Sequence, residues 1–378
     1  MLIYFALIIF VLVVPYFTRL FFKEKAKNIT LCLSLLGIWS VMVLRSPTVG
    51  RDIPGYLSLY EQMANRSWDD YDMTWMEWGY EFLEMVFSAK LKASFQSFFV
   101  VIYTFIYISY FFLIKNYSFN YTLSILSYIC LTFFCFDCSA IREAIAVSIF
   151  FYAIPFAQKR GIMNAIIYYL IIVFAAQIHS SAYVCFLGFF AIRYKFNLNR
   201  YFVVYCFIIL ALIPFRPYIL SYIASESGRL ISVSNFEIGL LNIFFIAVLL
   251  WSIKSRYSIE NNSLSLTASN SSSKMNILLT SCDELLTARK NIFIFVQQLF
   301  FCGIAIELFS AGSKWSRVTE YFKVMIILLV PNMIEELTSK SNNILKTIYV
   351  IFIIIFFYYT SLLLNPLDIV PYQFVWEY

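Results

Sequence analysis

The chain contains a single histidine, His179, in the middle of an apolar run from Ile162 to Ile192. The run has 31 residues, and a single helix of that length would reach roughly 46 Å, well beyond a hydrocarbon core of ~30 Å. Basic residues flank the run on both sides, beginning with Arg160 and Arg193. Because basic residues mark the cytoplasmic side, both ends are inside and the run must turn back. His179 is then predicted at the tip of a hairpin on the outer face, where an imidazole is a candidate for acid–base or ligand chemistry.

Arg142 is the second candidate, in the segment Asp137-Cys-Ser-Ala-Ile-Arg142-Glu143 at the start of a predicted helix. A cation at a helix N-terminus opposes the helix dipole unless an anion lies nearby. Free amide N–H groups and a guanidinium that converge on one point favour a phosphate ligand. A structural salt bridge from Arg142 to Glu143 or Asp137 is the alternative, just as His179 could be a hydrogen-bonded boundary residue. The sequence leaves both pairs of interpretations open.

Further ionisable residues are predicted at the outer ends of spans: Arg45, Arg51, Asp52, Glu143, Arg216, Arg317 and Glu320. Arginines there run against the positive-inside bias and need another explanation. Tyr321 follows Arg317 at i+4, which predicts a shared helix face, although Arg317 could instead be a snorkelling anchor. Several arginines above an apolar bundle fit a ligand with concentrated negative charge and an apolar tail, such as a lipid-linked pyrophosphate. No metal site is predicted, because one histidine without clustered cysteines or paired carboxylates does not form one.

Composition predicts an all-α polytopic membrane protein, because 61% of the 378 residues are hydrophobic and 13% are charged. The net charge of +6 follows from the loop topology, so we expect no nucleic-acid partner. About twelve transmembrane helices are predicted in one integral membrane domain, 1–378, with both termini outside. The stretches are 2–22, 28–46, 93–114, 119–136, 141–157, 162–178, 180–192, 200–217, 236–253, 291–311, 318–337 and 345–364.

Two connecting segments are long. The segment 255–290 is rich in Ser and Asn and predicts a flexible cytoplasmic loop. The segment 47–92, between the second and third spans, predicts a periplasmic loop with an amphipathic helix, because aromatic residues recur at intervals of three or four. Its other face is acidic and includes Glu77, Glu81 and Glu84. Two interpretations remain: an interfacial anchor with a solvated acidic face, or a carbohydrate or lipid platform on Trp75 and Trp78.

The ordered set of short motifs resembles the EpsG family of Wzy-type polysaccharide polymerases. The motifs are Arg45-Ser-Pro-Thr-Val-Gly50-Arg51-Asp52-Ile-Pro-Gly-Tyr56, Ile141-Arg142-Glu143-Ala-Ile-Ala146, Ile178-His179-Ser180-Ser181-Ala182 and Arg317-Val-Thr-Glu320-Tyr321-Phe. Relatives often carry another residue at the position of Arg51. The resemblance covers nearly the whole chain.

The resemblance implies a glycosyltransferase on the outer face of the bacterial inner membrane that needs no cofactor. It would transfer a growing glycan from undecaprenyl pyrophosphate to a lipid-linked repeat unit, with a chain-length regulator as a candidate partner and O-antigen, capsule or exopolysaccharide as product. Arg142 and Arg317 would bind the pyrophosphate. His179 would be the base or a phosphate contact, and Asp52 would orient a sugar hydroxyl or act as the base instead. Further substrate-binding candidates are Arg51, Tyr56, Glu143, Arg216 and Tyr321.

Two other functions compete with polymerisation. A lipid-linked oligosaccharide flippase would also have about twelve spans, but alternating access favours charges near the midplane and two repeated halves. No internal repeat is evident here. An O-antigen ligase shares the donor but uses a lipid A core acceptor, and that family usually carries its large outer loop late in the chain.

Overall fold

A computed structural model describes residues 1–65, 76–194, 198, 204, 213–215, 218, 242–254, 275–310, 314–336 and 339–377. Within these ranges the chain is helical, as the sequence predicts. It divides into two compact units, which we describe separately: unit 1 contains Met1–Phe186 and Leu337–Tyr378, and unit 2 contains Leu187–Glu336.

The described α-helices are, in chain order, α1 Leu2–Phe22, α2 Ala26–Val43, α3 Ile53–Ala64, α4 Trp78–Met85, α5 Phe95–Tyr117, α6 Tyr121–Cys130, α7 Phe133–Ser139, α8 Ile141–Gln158, α9 Ile162–Ile178, α10 Cys185–Arg193, α11 Asn242–Lys254, α12 Met275–Ser310, α13 Glu320–Lys323, α14 Ile326–Glu335 and α15 Ser339–Phe357. Short 3₁₀ or π turns join or extend several of them.

Helices α1 and α2 form an antiparallel hairpin. The Thr18 and Thr30 hydroxyls lie 2.6 Å apart across it, although a straight helix would separate residues twelve positions apart by roughly 18 Å. Gly37 permits the close approach, since a Cβ there would lie 2.7 Å from the ring of Phe10. Packing against α1 therefore brings the end of α2 back to the level of the N-terminus.

The following helices alternate in direction. Trp39 of α2 donates a hydrogen bond to Thr104 of α5 at 3.0 Å, and Gln96, at the start of α5, donates to the carbonyl of Val43, at the end of α2. Ser94 caps α5 by accepting from the backbone N–H of Ser97. Helices α6 and α7 return as one bent pair, at 56°, and α8 and α9 pack as a second hairpin.

This alternation gathers chain segments at one end of unit 1, which we call the near end. The end of α2, the starts of α5 and α8 and the end of α9 all lie there. The C-terminal segment covers the loop after α2: the amides of Gly50 and Arg51 donate to the carbonyls of Asp368 and Leu367, both at 2.9 Å. The Tyr4 hydroxyl of α1 donates to the carbonyl of Ile369 at 2.6 Å.

The apolar run 162–192 turns back at His179, as its flanking charges predict. Helix α9 ends at Ile178, His179 is extended, and a 3₁₀ turn, Ser180–Val184, leads into α10. The Tyr168 hydroxyl donates to the carbonyl of Cys185 at 2.6 Å. Residues 17 positions apart therefore meet, which requires the chain to reverse.

The count of about twelve spans is not confirmed. Five helical segments in the described ranges are long and apolar enough to cross a membrane, or six when the bent pair α6–α7 counts as one span. The first of the five, Leu2–Val43, contains the α1–α2 hairpin. Helices α9 and α11 are apolar but shorter. Most of the predicted span 200–217 and part of 236–253 lie outside the described residues.

Unit 2 departs from the sequence prediction at two places. The span predicted at 318–337 is broken into a 3₁₀ turn, Lys314–Thr319, and the short helices α13 and α14. Pro331 lies inside α14 and not at the break. The loop predicted over 255–290 is helical from Met275, where α12 begins. Residues 255–274 lie outside the described residues.

Candidate functional site

The near end of unit 1 brings together residues from four separate parts of the sequence. Arg142 lies in the first turn of α8. His179 and Ser180 follow α9, Glu77 immediately precedes α4, and Tyr56 lies on α3. Their convergence depends on the antiparallel packing of α8 and α9, which sets the start of one helix beside the end of the other.

A single carboxylate, that of Glu77, connects three of these residues. Its Oε2 accepts a hydrogen bond from Nη1 of Arg142 at 2.7 Å. Its Oε1 accepts from the backbone N–H of Ser180 at 2.9 Å and from the Ser180 hydroxyl at 2.8 Å. Nδ1 of His179 lies 3.4 Å from the same Oε1. One anion therefore contacts four hydrogen-bonding groups, two of which belong to ionisable bases.

The contacts fix the charge of Glu77. Burial opposes its ionisation, but the hydrogen bonds from His179 and Ser180 and the positive charge of Arg142 prevail and lower the pKa of Glu77 far below its usual range. Glu77 is therefore an anion at any physiological pH. It is well placed to bind cations and poorly suited to remove a proton from a hydroxyl.

His179 lies between two carboxylates. Its Nδ1 faces Glu77, and its Nε2 lies 3.8 Å from Oε2 of the buried Glu143. Both ring nitrogens are thus directed at carboxylate oxygens, which suits a hydrogen-bond donor more than a proton acceptor. This geometry favours a phosphate contact over a general base among the two roles that the sequence left open for His179.

Two tyrosines support Arg142. Its Nε lies 3.4 Å from the Tyr56 hydroxyl, and its guanidinium carbon lies 5.8 Å from the ring centroids of both Tyr56 and Tyr80. Such cation–π contacts hold a guanidinium in place without neutralising it. Behind Tyr80, Glu84 is fully buried, and burial raises the pKa of Glu84 to about 8. Glu84 is therefore mostly neutral at pH 7, so it leaves the charge of Arg142 for an anion.

Asp52 and Arg51 lie beside this cluster on the loop before α3. Asp52 begins α3, and its backbone N–H donates to the Ser139 hydroxyl at 3.2 Å. Tyr56 is one helical turn further on, with its N–H bonded to the carbonyl of Asp52. Arg51 is exposed and pairs with Asp368 at 3.4 Å, a kind of contact that is worth little in solvent.

The Arg45 side chain is buried and has a structural role. It is fully buried, donates to the Tyr103 hydroxyl at 2.6 Å and also contacts the carbonyl and sulfur of Cys138. Gly50 packs against the same point, since a Cβ there would lie 2.6 Å from the carbonyl oxygen of Cys138, and its φ of +105° disfavours any other residue. Arg45 thus joins the loop after α2 to the end of α7.

The motif Arg317-Val-Thr-Glu320-Tyr321-Phe lies in unit 2. Arg317 is exposed in the 3₁₀ turn, whereas Tyr321 is fully buried in α13. The predicted shared face of these two residues is wrong, because the 3₁₀ turn breaks the α-helical spacing. Lys323 lies nearby with its Nζ 2.7 Å from Glu320 and 3.1 Å from Glu307. Arg216 lies outside the described residues.

Two sequence interpretations of the acidic residues need correction. For Arg142 the sequence offered the local partners Glu143 and Asp137, whereas the structure places the distant Glu77 2.7 Å from its guanidinium. The solvated acidic face of the amphipathic helix is also wrong for Glu81 and Glu84, which are fully buried. Packing in unit 1 therefore buries the acidic side of this helix.

The aromatic side of α4 is the exposed one. Trp78 is 49% and Phe82 39% exposed, and their rings stack with centroids 5.4 Å apart. Trp75, the other residue of the predicted platform, lies outside the described residues. The choice between an anchor and a platform stays a prediction.

Sequence reasoning missed Glu77 as a site residue. The available signal was its position beside Trp78 at the start of a predicted helix, and nothing local linked it to Arg142. Within the described ranges, no group of three or more His, Cys, Asp or Glu side chains is arranged to hold a metal ion.

Comparison with known proteins identifies the family. The model of the EpsG family matches residues 28–374. The chain belongs to the EpsG family. It is therefore a multi-pass membrane protein of polysaccharide biosynthesis, and the family is consistent with a polymerase-type enzyme. No curated protein and no solved structure gives a significant match.

Proposed function

We propose that this protein is a Wzy-type polysaccharide polymerase: a glycosyltransferase that joins undecaprenyl-pyrophosphate-linked oligosaccharide repeat units at the periplasmic face of the bacterial inner membrane. The observation that carries the proposal is the convergence of Arg142, His179 and Ser180 on one carboxylate at the near end of unit 1. Donors that surround a carboxylate can also surround a phosphate group. Family membership supplies the class of reaction.

The reaction places a specific demand on these residues. The acceptor hydroxyl oxygen attacks the anomeric carbon of the donor glycan and forms the new glycosidic bond. The bond from that carbon to the pyrophosphate oxygen breaks, and its electron pair leaves with the lipid pyrophosphate. Negative charge therefore grows on the leaving group, where Arg142 and His179 stabilise it. The guanidinium is suited to this because it can bind two phosphate oxygens at once.

The hydroxyl proton goes to a base, for which we propose Asp52. His179 faces carboxylates from both ring nitrogens, and Glu77 is too weak a base. Asp52 is one helical turn from Tyr56, and the Tyr56 hydroxyl contacts Arg142. Asp52 is thus near the leaving-group site without being part of it. Arg317, exposed in unit 2, remains a candidate for binding the second lipid-linked chain, whereas Tyr321 is fully buried.

Gene deletion with complementation tests the proposal. Cells that lack the protein should display surface glycan of a single repeat unit, and the wild-type gene should restore long chains. Absence of any glycan outside the cell would indicate a flippase. Free polymer that never reaches lipid A core would indicate a ligase.

Complementation with variants tests the site. Arg142→Ala and Asp52→Asn should leave single repeats while the protein inserts normally, whereas Glu61→Gln, on the exposed side of α3, should restore full polymer. Normal chain length with both site variants would refute the assignment of this site. Purified protein that converts synthetic lipid-linked repeats into polymer would establish the chemistry directly.

A further inference from the structure

The anion site at Arg142 is already filled by a group of the protein itself. The Glu77 carboxylate accepts hydrogen bonds from Arg142, from the backbone N–H of Ser180 and from its hydroxyl, and it lies 3.4 Å from His179. A ligand phosphate that uses these same donors cannot bind while Glu77 holds them. Nor would both anions share the site, since two negative groups in hydrogen-bonding distance repel each other.

The pair is not sealed inside the protein. The side chains of Arg142 and Glu77 are each 12% exposed, and that of His179 is 18% exposed. The fully buried Arg45 shows what a purely structural arginine looks like here, because it contacts a carbonyl, a sulfur and a tyrosine hydroxyl and is 0% exposed. Arg142 differs in holding an anion at an accessible position.

We propose that Glu77 is an internal stand-in for the phosphate of the lipid-linked substrate, exchanged for that phosphate when the substrate binds. This inference rests on the proposed function for the ligand's identity. In the empty site Glu77 keeps Arg142, His179 and Ser180 oriented. On binding, a phosphate oxygen replaces the carboxylate oxygens on the same donors, and Glu77 moves away. The bound carboxylate stabilises the site of the free enzyme, and its return to the same donors after transfer helps to expel the pyrophosphate.

The charges around the site agree with such an exchange. In the part of the chain that the structure describes, the groups around Glu77 and Arg142 include Tyr56 from α3, Tyr80 and Glu84 from α4, Glu143 from α8 and His179 from the turn after α9. Because Glu84 is mostly neutral at pH 7, it does not compete with Glu77 for the Arg142 guanidinium. A phosphate that replaces the Glu77 carboxylate leaves Arg142 paired with an anion, so the charge of the site is compatible with the exchange.

Pyrophosphate binding to purified full-length protein tests the exchange, measured by calorimetry with inorganic pyrophosphate as the probe. Glu77→Gln removes the competing anion and should tighten binding roughly tenfold or more, because the apparent dissociation constant is the intrinsic one divided by the fraction of protein whose site is open. Glu61→Gln, an exposed carboxylate on α3, should change nothing. Adding Arg142→Ala to Glu77→Gln should abolish the gain.

A second variant keeps the test decisive if Glu77→Gln folds poorly. Glu77→Asp retains the charge but is one methylene shorter, so it should hold Arg142 and Ser180 less well and bind pyrophosphate with intermediate affinity. If folded Glu77→Gln or Glu77→Asp binds pyrophosphate no more tightly than the wild type, Glu77 is a fixed positioning residue and the exchange is refuted. Absence of pyrophosphate binding in every protein refutes it as well.

The outcomes separate this inference from the proposed function. If the affinities follow the expected order but the wild-type protein makes no polymer from lipid-linked repeats, the exchange holds and the polymerase assignment fails. If polymer forms while Glu77→Gln weakens pyrophosphate binding, the polymerase assignment holds and the exchange fails.

Discussion

Substitution of Glu84 by glutamine should remove a pH-dependent loss of stability. Glu84 is fully buried on α4, and burial raises the pKa of Glu84 from 4.5 to about 8. The carboxyl group therefore stays protonated in the folded protein over a pH range in which it ionises in the unfolded chain. Stability from this group is complete below about pH 4.5 and is lost progressively as the pH rises to about 8.

The size of the effect follows from the pKa difference. A rise from 4.5 to about 8 is about 3.5 pH units, and at 1.36 kcal/mol per unit this amounts to about 5 kcal/mol in the free energy of unfolding at and above pH 8. Glutamine has nearly the same shape and does not titrate. Relative to the wild type, Glu84→Gln should therefore gain thermal stability with increasing pH, on the order of 5–10 °C between pH 5 and pH 9.

Thermal unfolding of both proteins in one detergent, at steps from pH 5 to pH 9, measures this difference directly. Glu61→Gln, an exposed carboxylate on α3, is the matched control and should track the wild type at every pH. Parallel curves for wild type and Glu84→Gln across the whole range would refute the argument that Glu84 is buried in its neutral form.

Three further predictions concern the near end of unit 1. Arg142→Lys should reduce polymerisation about 10²-fold, nearly as much as Arg142→Ala, because an ammonium cannot bind two phosphate oxygens at once. Arg160→Lys, at an exposed arginine of the α8–α9 turn, is the control. Retained chain length in Arg142→Lys would contradict the bidentate contact. His179→Ala should lower the turnover of the purified protein, because one of the groups proposed to contact the leaving pyrophosphate is lost. Turnover equal to that of the wild type would argue against this contact. Gly50→Ala should lower the free energy of unfolding by more than about 1 kcal/mol, since φ is +105° and a Cβ would collide with a carbonyl oxygen. Gly55→Ala, whose added Cβ meets nothing within 4 Å, should be neutral or stabilising. Equal melting temperatures for the two variants would argue against strain at Gly50.

Hydrophobicity and charge along the chain were sufficient to predict the helical membrane class and the position of several helices. The basic residues at both ends of the run that starts at Ile162 predicted that it turns back, and the helix does end at Ile178, before an extended His179. The same local signals marked Arg142 as the first-turn residue of α8. The α-helical periodicity of the sequence gave a wrong prediction for the shared face of Arg317 and Tyr321. The chain there forms a 3₁₀ turn, which has a different number of residues per turn.

Only the tertiary structure decided which side chains meet. Glu77 and Arg142 are 65 positions apart, and they are joined because α4 packs beside α9 while α8 and α9 run antiparallel. The same packing turned the acidic side of α4 inward, where the sequence pattern predicts a solvated face, and left Trp78 and Phe82 exposed. A sequence pattern records that one face is polar, but whether water or other side chains surround that face depends on contacts between distant helices.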